Sequence, residues 1–259
     1  MHDEAIVRQA WRLKQQGLTD HAVARACGVS VGAIRKWRYG SRRPELHPDR
    51  PGGNQSRRGC PRCSDWPLDE RQYAYLLGLY LGDGHIARQA KGVYRLEIAC
   101  ADAWPGLIDA AAEAVSAVLP GSRVGRRQRI GCTMVGSYSK HWPCLFPQHG
   151  PGRKHERKIE LAGWQREIVD QYTEEFVRGL IHSDGCRSMN RVRRRLKDED
   201  RWYEYPRYNF TNVSLDIQRL FTDALDRLGV AWTQMNAKNI SVARREAVAR
   251  LDGFVGAKY

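Results

Sequence analysis

No stretch of about 18 consecutive apolar residues occurs in this 259-residue chain, which excludes a transmembrane helix. The first residues, Met1-His2-Asp3-Glu4, are polar or acidic, where a secretory signal needs a basic segment followed by an apolar one. We therefore expect a cytoplasmic protein with no membrane partner.

A disulfide framework is not expected either. The seven cysteines are an odd number and lie scattered at positions 27, 60, 63, 100, 132, 144 and 186. A chain of this length forms a core without covalent staples, so we expect reduced thiols.

Acidic residues are scarce relative to basic ones. The chain has 29 Asp and Glu against 43 Lys and Arg, which gives a formal charge of +14 and a pI near 9.7. Residues 121–158 carry nine basic residues and one acidic residue, Glu156, whereas a solvated face usually mixes signs. Such a balance points to a polyanionic partner, with nucleic acid as the first candidate.

Three short helices are predicted at the N-terminus, over residues 3–16, 19–27 and 30–39. Gly17 stands after the first, and Gly28-Val29-Ser30 predicts a tight turn in which Ser30 caps the third. This spacing is typical of a helix-turn-helix domain, which we assign to residues 1–40.

The third helix of this domain has an apolar and a basic face. Ile34 and Trp37 are three residues apart and are expected to pack inward, whereas the outward cations are Arg35, Lys36 and Arg38. A basic exposed face suits the major groove of DNA. An ordinary three-helix surface domain is the alternative interpretation.

Residues 41–67 are rich in Arg, Pro, Gly, Asn and Ser, and we interpret them as a basic linker that lies along DNA. Within it, Cys60-Pro61-Arg62-Cys63 has the spacing of half a zinc site, so zinc is a candidate cofactor. A structural zinc site needs four ligands and no second cysteine pair matches. Distant residues such as Cys132 or Cys144 would have to complete it, and the alternative is two free cysteines in a turn.

After residue 67 the predicted elements form an internal repeat of helix, two strands, helix, two strands and helix, present twice. The first copy spans 68–149, a basic connector 150–168, and the second copy 169–259. The elements located in the first copy are helices at 69–81, 105–119 and 140–146 and strands at 93–100 and 129–138. Those in the second are helices at 173–182, 215–228 and 245–251 and strands at 208–212 and 239–243. The fold class is α+β with two pseudo-symmetric αββαββα halves.

The first helix of each copy ends in the same way. Residues 76–84 read LLGLYLGDG and residues 177–185 read VRGLIHSDG. Gly78 with Gly82, and Gly179 with Ser183, place small residues four apart on one helix face, where two backbones can approach closely. If the helices pack together, Asp83 and Asp184 meet at their ends, and a divalent cation would relieve the repulsion. Paired carboxylates with Mg²⁺ suit phosphodiester hydrolysis.

Both segments resemble the LAGLIDADG motif of homing endonucleases, and two copies suit the single-chain form of that family. The resemblance covers residues 68–256. It implies that the two motif helices form the interface of the half-domains, and that antiparallel, saddle-shaped sheets lie over a long DNA site. It also implies that Asp83 and Asp184, with the backbone at Gly82 and Ser183, bind Mg²⁺ or Mn²⁺. Leu81 and His182 replace the motif's earlier acidic residue, which is not the metal ligand in the family.

Further site residues follow from the resemblance and from charge. Family members carry a basic catalytic residue ahead of each half's last helix, which in this sequence corresponds to Lys140 and Arg244, with Arg245 and Lys238 as rivals. The cations that we expect to contact DNA from the larger part of the chain are Arg126, Arg127, Arg129, Arg187, Arg191, Arg193, Arg195 and Lys238. The segment 106–110, which reads GLIDA, lacks the Asp-Gly ending and is expected to pack.

We therefore expect a monomeric, nucleoid-associated bacterial protein that cleaves double-stranded DNA at specific sites with Mg²⁺ or Mn²⁺. The alternative is a transcriptional regulator that keeps the fold for sequence-specific DNA binding without cleavage. Binding of structured RNA is a third interpretation, because basic strands bind either polymer.

Overall fold

The computed structural model describes residues 4–39, 60–63, 66–196, 199–256 and 258. The chain divides into two compact units, Met1–Arg58 and Gly59–Tyr259. The predicted basic linker lies largely outside the described residues, as does the side chain of Arg38. Within the described ranges, every helix is too short or too polar to cross a lipid bilayer.

The described residues of the smaller unit, 4–39, form three helices, α1 (Glu4–Gln15), α2 (Asp20–Ala26) and α3 (Val31–Tyr39), as predicted. Its buried core is formed by Val7, Ala10, Val23, Ala24, Ile34 and Trp37. Gly28 has a φ of 63° in the turn before α3, and the Ser30 hydroxyl accepts a hydrogen bond from the Ala33 amide at 3.1 Å. The turn and the cap therefore form as the sequence predicts.

The first half of the larger unit follows the order αββαββα. Its elements are α4 (Glu70–Asp83), β1 (Gly84–Arg88), β2 (Tyr94–Ala101), α5 (Pro105–Val118), β3 (Val124–Arg129), β4 (Cys132–Ser139) and α6 (Trp142–Leu145). The four strands form one antiparallel sheet in the order β1-β2-β4-β3.

The second half repeats that order. After α7 (Gly163–Gln171) come α8 (Thr173–Asp184), β5 (Gly185–Leu196), β6 (Glu199–Thr211), α9 (Leu215–Arg227), β7 (Thr233–Gln234), β8 (Asn239–Val242) and α10 (Arg245–Asp252). The sheet order β5-β6-β8-β7 repeats that of the first half, and its pairs are again antiparallel. The predicted mixed α and β architecture with two antiparallel sheets is confirmed.

Three local features differ from the sequence prediction. The strand predicted over 129–138 corresponds to β4, and its partner β3 was not predicted; Gly131, with a φ of 73°, turns the chain between the two. β1 and β5 begin at the glycine of each Asp-Gly pair, where the sequence located no strand. The predicted connector 150–168 contains the start of α7, which buries Ile168 and Val169.

Helix α4 lies in the middle of the core. Every residue from Tyr73 to Leu81 is buried, so the helix has no polar face of its own in this stretch. It begins where the Asp69 carboxylate accepts a hydrogen bond from the Gln72 amide at 3.0 Å. The buried helix carries its last residue, Asp83, to the point where β1 begins.

Candidate active site

Helices α4 and α8 pack against each other through their glycines. A Cβ atom added at Gly78 would lie 2.5 Å from the Phe176 carbonyl oxygen, and one added at Gly179 would lie 2.2 Å from the Tyr75 carbonyl oxygen. No side chain fits at either position without moving the neighbouring backbone. The predicted close approach of the two motif helices is confirmed.

This packing brings the two aspartates together, since each is the last residue of its helix. A Cβ atom at Gly82 would lie 3.1 Å from Cγ of Asp184. Burial raises the pKa of Asp184 to about 6, and the charge of Asp83 contributes in the same direction. Although the Asp83 side chain still reaches solvent, loss of hydration raises its pKa as well. Such desolvated carboxylates form a hard oxygen donor set that fits Mg²⁺ or Mn²⁺.

Two lysines face the aspartates, Lys154 from the basic connector and Lys258 from the second half. The Lys154 ammonium donates to the carbonyl oxygens of Tyr80, Leu81 and Gly82 at 2.6, 2.9 and 2.5 Å. The Lys258 ammonium donates to the Gly185 carbonyl oxygen at 2.5 Å. Each lysine therefore sits at the C-terminal end of a motif helix, where the helix dipole favours a cation.

The charges of these lysines are coupled to the aspartates. Burial lowers the pKa of Lys154 to about 8, although Asp184 and Asp83 oppose the shift. Burial also lowers the pKa of Lys258, and both aspartates again oppose it. The centre thus holds two carboxylates and two ammonium groups, and burial shifts the pKa of each one.

Asn212, directly after β6, orients one of the carboxylates. Its side-chain nitrogen donates to Oδ2 of Asp184 at 2.5 Å, and this bond lowers the Asp184 pKa against the larger effect of burial. Its side-chain oxygen in turn accepts from the Ser214 amide at 2.7 Å. The Asn212 amide is therefore held in one orientation.

The residues that replace the motif's earlier acid lie away from this centre. Leu81 is fully buried in the core. His182 is buried between Tyr75, whose hydroxyl lies 2.9 Å from Nδ1, and the Val255 carbonyl oxygen, 2.9 Å from Nε2. Burial lowers the pKa of His182 to about 4, so its ring is neutral and joins α8 to the C-terminal segment.

The first sheet separates its arginines between two faces. Arg126 pairs with Val135, a buried residue, so it lies on the helix-bearing face, where it contacts Asp109 of α5 at 2.6 Å. Arg127 and Arg129 alternate to the opposite face. There the Arg127 guanidinium contacts Glu97 at 2.7 Å, and Arg95 contacts the same carboxylate at 2.9 Å.

The second sheet places β5 arginines on its helix-bearing face. Arg187 lies opposite the buried Tyr208 and forms a two-bond ion pair with Asp252 of α10 at 2.8 and 2.9 Å. The same face continues along the strand through Arg191, Arg193 and Arg195. Arg191 contacts Glu204 at 3.4 Å, and Arg193 contacts Asp200. The opposite face carries Arg201 and Arg207 of β6.

The remaining predicted residues lie at the surface. Lys140 and Lys238 are exposed, and Arg244 is the exposed N-cap residue of α10. Arg35 and Lys36 are exposed on α3 of the smaller unit. Asp109, in the 106–110 segment, lies on α5 away from the motif helices. The assignment of Lys140 and Arg244 as basic catalytic residues stays a prediction.

Sequence reasoning missed Lys154, Lys258 and Asn212. A partial signal for the lysines exists, because each lies in the segment that follows α6 or α10. The two distances differ, so superposing the copies would not have aligned the lysines. Asn212 has no such signal, since it depends on the end of β6 reaching the end of α8.

Comparison of the sequence with family models and with curated proteins finds no match. Solved structures that resemble this chain include LAGLIDADG homing endonucleases. A structure of mesophilic variants from the homing endonuclease I-DmoI shares 13% identity over 73% of this chain and 97% of its own, with a TM-score of 0.49. The LAGLIDADG meganuclease I-AabMI bound to uncleaved DNA shares 8% identity over 70% of this chain and 82% of its own, with a TM-score of 0.46.

Proposed function

We propose that this protein is a site-specific endonuclease that hydrolyses both strands of DNA. The observation that carries the proposal is the meeting of Asp83 and Asp184 at the ends of two helices packed backbone to backbone. Mutual repulsion and lost hydration make this arrangement costly for the free protein, and a bound divalent cation would offset that cost. A single chain supplies both carboxylates, so we propose that it acts as a monomer.

Each polar residue of the centre has a role in this proposal. Asp83 and Asp184 hold Mg²⁺ or Mn²⁺, which when bound polarises the phosphate and favours hydroxide over water. Asn212 fixes the rotamer of the Asp184 carboxylate. Lys154 and Lys258 place positive charge next to the carboxylates, where negative charge develops on the phosphate oxygens during hydrolysis.

We propose that DNA lies along the helix-free faces of the two sheets. Those faces carry Arg95, Arg127 and Arg129 in the first half and Arg201 and Arg207 in the second. Both motif helices end at the start of a strand of these sheets, so a duplex on this side approaches the carboxylates. The smaller unit, as a helix-turn-helix domain, would extend the recognised site through Arg35 and Lys36.

Selection from a randomised duplex library tests the function directly. The purified full chain is incubated with the library in Mg²⁺ and, separately, in Ca²⁺, and bound and cut molecules are sequenced separately. We expect an enriched site that is bound in both ions and cut only in Mg²⁺. Absence of any enriched or cut sequence would overturn the proposal.

Substitution at the carboxylates tests the assigned roles. Asp83→Asn and Asp184→Asn should each reduce cleavage of the selected site by at least about a thousandfold, because each removes a charged metal ligand. Binding of the site in Ca²⁺ should change much less. Asp109→Asn is the matched control, since this exposed aspartate lies on α5 and should leave cleavage unchanged. Full-rate cutting by either motif variant would show that the roles are wrong.

A transcriptional regulator is the second candidate, and the smaller unit favours it. Its exposed Arg35 and Lys36 suit DNA recognition independent of cleavage. The library experiment separates the two functions, because a regulator would enrich a bound sequence in both ions and cut in neither.

A further inference from the structure

Four side chains with metal-binding atoms converge at one point of the larger unit. Cys60, Cys63, His141 and Cys144 each offer one atom, and these four atoms lie within 4.8 Å of one another. The two cysteine sulfurs of Cys63 and Cys144 are 3.4 Å apart, although 81 positions separate the residues in the sequence. The chain fold, rather than local sequence, therefore brings the group together.

The four residues form two turns of the same kind. The Cys63 amide donates to the Cys60 carbonyl oxygen at 3.1 Å, and the Cys144 amide donates to the His141 carbonyl oxygen at 3.0 Å. Each turn has two intervening residues, one of them proline. The second half of the site is thus a His-x-x-Cys pair, which explains why no second Cys-x-x-Cys pair was found in the sequence.

The first turn also directs a backbone donor at one of the sulfurs. The Arg62 amide donates to the Cys60 sulfur at 3.4 Å, a bond that favours the charged form of the sulfur. Cys60 is almost fully buried. The Arg62 guanidinium stacks on the Trp164 ring, 4.3 Å from its centroid, and this contact holds the turn against α7.

The distances and atom types fit one ion in particular. Tetrahedral zinc with Zn–S bonds near 2.3 Å and Zn–N bonds near 2.0 Å places two sulfurs roughly 3.8 Å apart and a sulfur and a nitrogen roughly 3.5 Å apart. The 3.4 Å between the Cys63 and Cys144 sulfurs is a few tenths of an ångström below that edge, whereas a disulfide needs sulfurs about 2.05 Å apart. Three sulfurs and an imidazole favour zinc over Mg²⁺, which prefers oxygen ligands.

We propose that Cys60, Cys63, His141 and Cys144 bind one structural Zn²⁺. Four protein ligands leave no open position on the ion, so the site holds the fold rather than performing catalysis. It joins residues 60–63, at the beginning of the larger unit, to the start of α6. Cys132, the other sequence candidate, lies beside Cys100 and is not one of the four. The proposal is independent of the cleavage activity.

Metal analysis of the full chain tests the proposal without mutation. The protein is purified with a reductant and without chelator, and its metal content is measured by mass spectrometry. We expect about one zinc per chain, as a four-ligand site requires. Replacement of zinc by Co²⁺ should give the intense visible absorption of tetrahedral cobalt together with thiolate charge-transfer bands.

Variants then locate the ion. Cys63→Ser and His141→Ala should each lose most of the zinc and unfold at a lower temperature. Cys132→Ser should keep the zinc content and the unfolding temperature of the unaltered protein. Asp184→Asn should also retain the zinc, which separates this site from the two aspartates. If the ligand variants are insoluble, the cobalt spectrum of the unaltered chain decides the question. Protein without zinc and with only octahedral cobalt absorption, or with a Cys63–Cys144 disulfide under reducing purification, would overturn the proposal.

Discussion

The two halves of the larger unit share one order of elements, but their aspartates lie in different surroundings. Asp184 is half-buried, accepts a hydrogen bond from Asn212, and has a pKa of about 6. Asp83 is more exposed; burial raises its pKa too, and the charges of Lys154 and Lys258 oppose that rise. The strands differ too, since β5 and β6 have 12 and 13 residues against 5 and 8 for β1 and β2. A repeated backbone therefore creates two similar positions with different chemistry.

The two aspartates thus differ in their surroundings, although the helices that carry them pack in the same way. Because two close carboxylates in a desolvated space resist double ionisation, the charge of Asp83 adds to the rise that burial causes in the pKa of Asp184. The helix contact that forces the pair together is symmetric, with a glycine of each helix against the backbone of the other. Variants at the glycines test the symmetric helix packing, and variants at the charged residues test the difference between the two aspartates.

The largest effect is expected at the helix contact. Gly179→Ala places a methyl group 2.2 Å from the Tyr75 carbonyl oxygen, so the helices must separate, and we expect the protein to lose roughly 3 kcal/mol or more of stability. Gly78→Ala should be similar, as the symmetry requires. Gly163→Ala is the control, since a Cβ atom there meets nothing within 4 Å. Thermal denaturation measures all three, and a Gly179 variant as stable as the control would contradict the packing.

The second largest effect is expected on the rate of cleavage when a lysine of the centre is replaced. Lys154→Met should slow cleavage by about 100-fold while leaving binding in Ca²⁺ nearly unchanged, because the lost charge acts on the developing phosphate charge. Lys258→Met should act on the other half, so the two variants should slow opposite strands and accumulate differently nicked duplexes. Lys140→Met and Arg244→Met test the rival assignment. A large loss of cleavage in the Lys140 and Arg244 variants, with no loss in the Lys154 and Lys258 variants, would show that Lys140 and Arg244 are the basic catalytic residues.

Much of this centre could be predicted from the sequence, and the reason is its repetition. The two Asp-Gly endings, and Gly78 and Gly179 four positions before Gly82 and Ser183, mark the helices, their contact and their carboxylates, because a local pattern fixes all three. Lys154 and Lys258 lie far along the chain from the carbonyls they contact, 73 positions from Leu81 and Gly185 respectively. His141 of the zinc cluster was equally hidden. Contacts made by the tertiary fold between distant residues leave no local pattern to recognise.

Stability should depend on pH through Asp184. Its pKa in the folded protein is about 6, above the value of an unfolded carboxyl group. The folded state therefore holds the proton more tightly, so this contribution to stability is present at low pH and is lost as pH rises through about 6. We expect Asp184→Asn to reduce the decrease in stability between low pH and pH 7.5. The variant should therefore unfold at a higher temperature than the unaltered protein at pH 7.5 without divalent ions. Mg²⁺ should stabilise the unaltered protein more than the variant, and equal pH profiles for the two would contradict the assignment.

The smallest effects should separate the two faces of the first sheet. Arg127 and Arg126 are neighbours in β3, but Arg127 lies on the helix-free face and Arg126 contacts Asp109 on the other. Arg127→Ala should weaken binding of the selected duplex by about tenfold and reduce its salt dependence, because one phosphate or base contact is lost. Arg126→Ala should change binding less than about twofold, since its side chain points toward the helices. Equal losses would mean that the duplex does not lie on the helix-free face, and a loss confined to Arg126 would place it on the other side of the sheet.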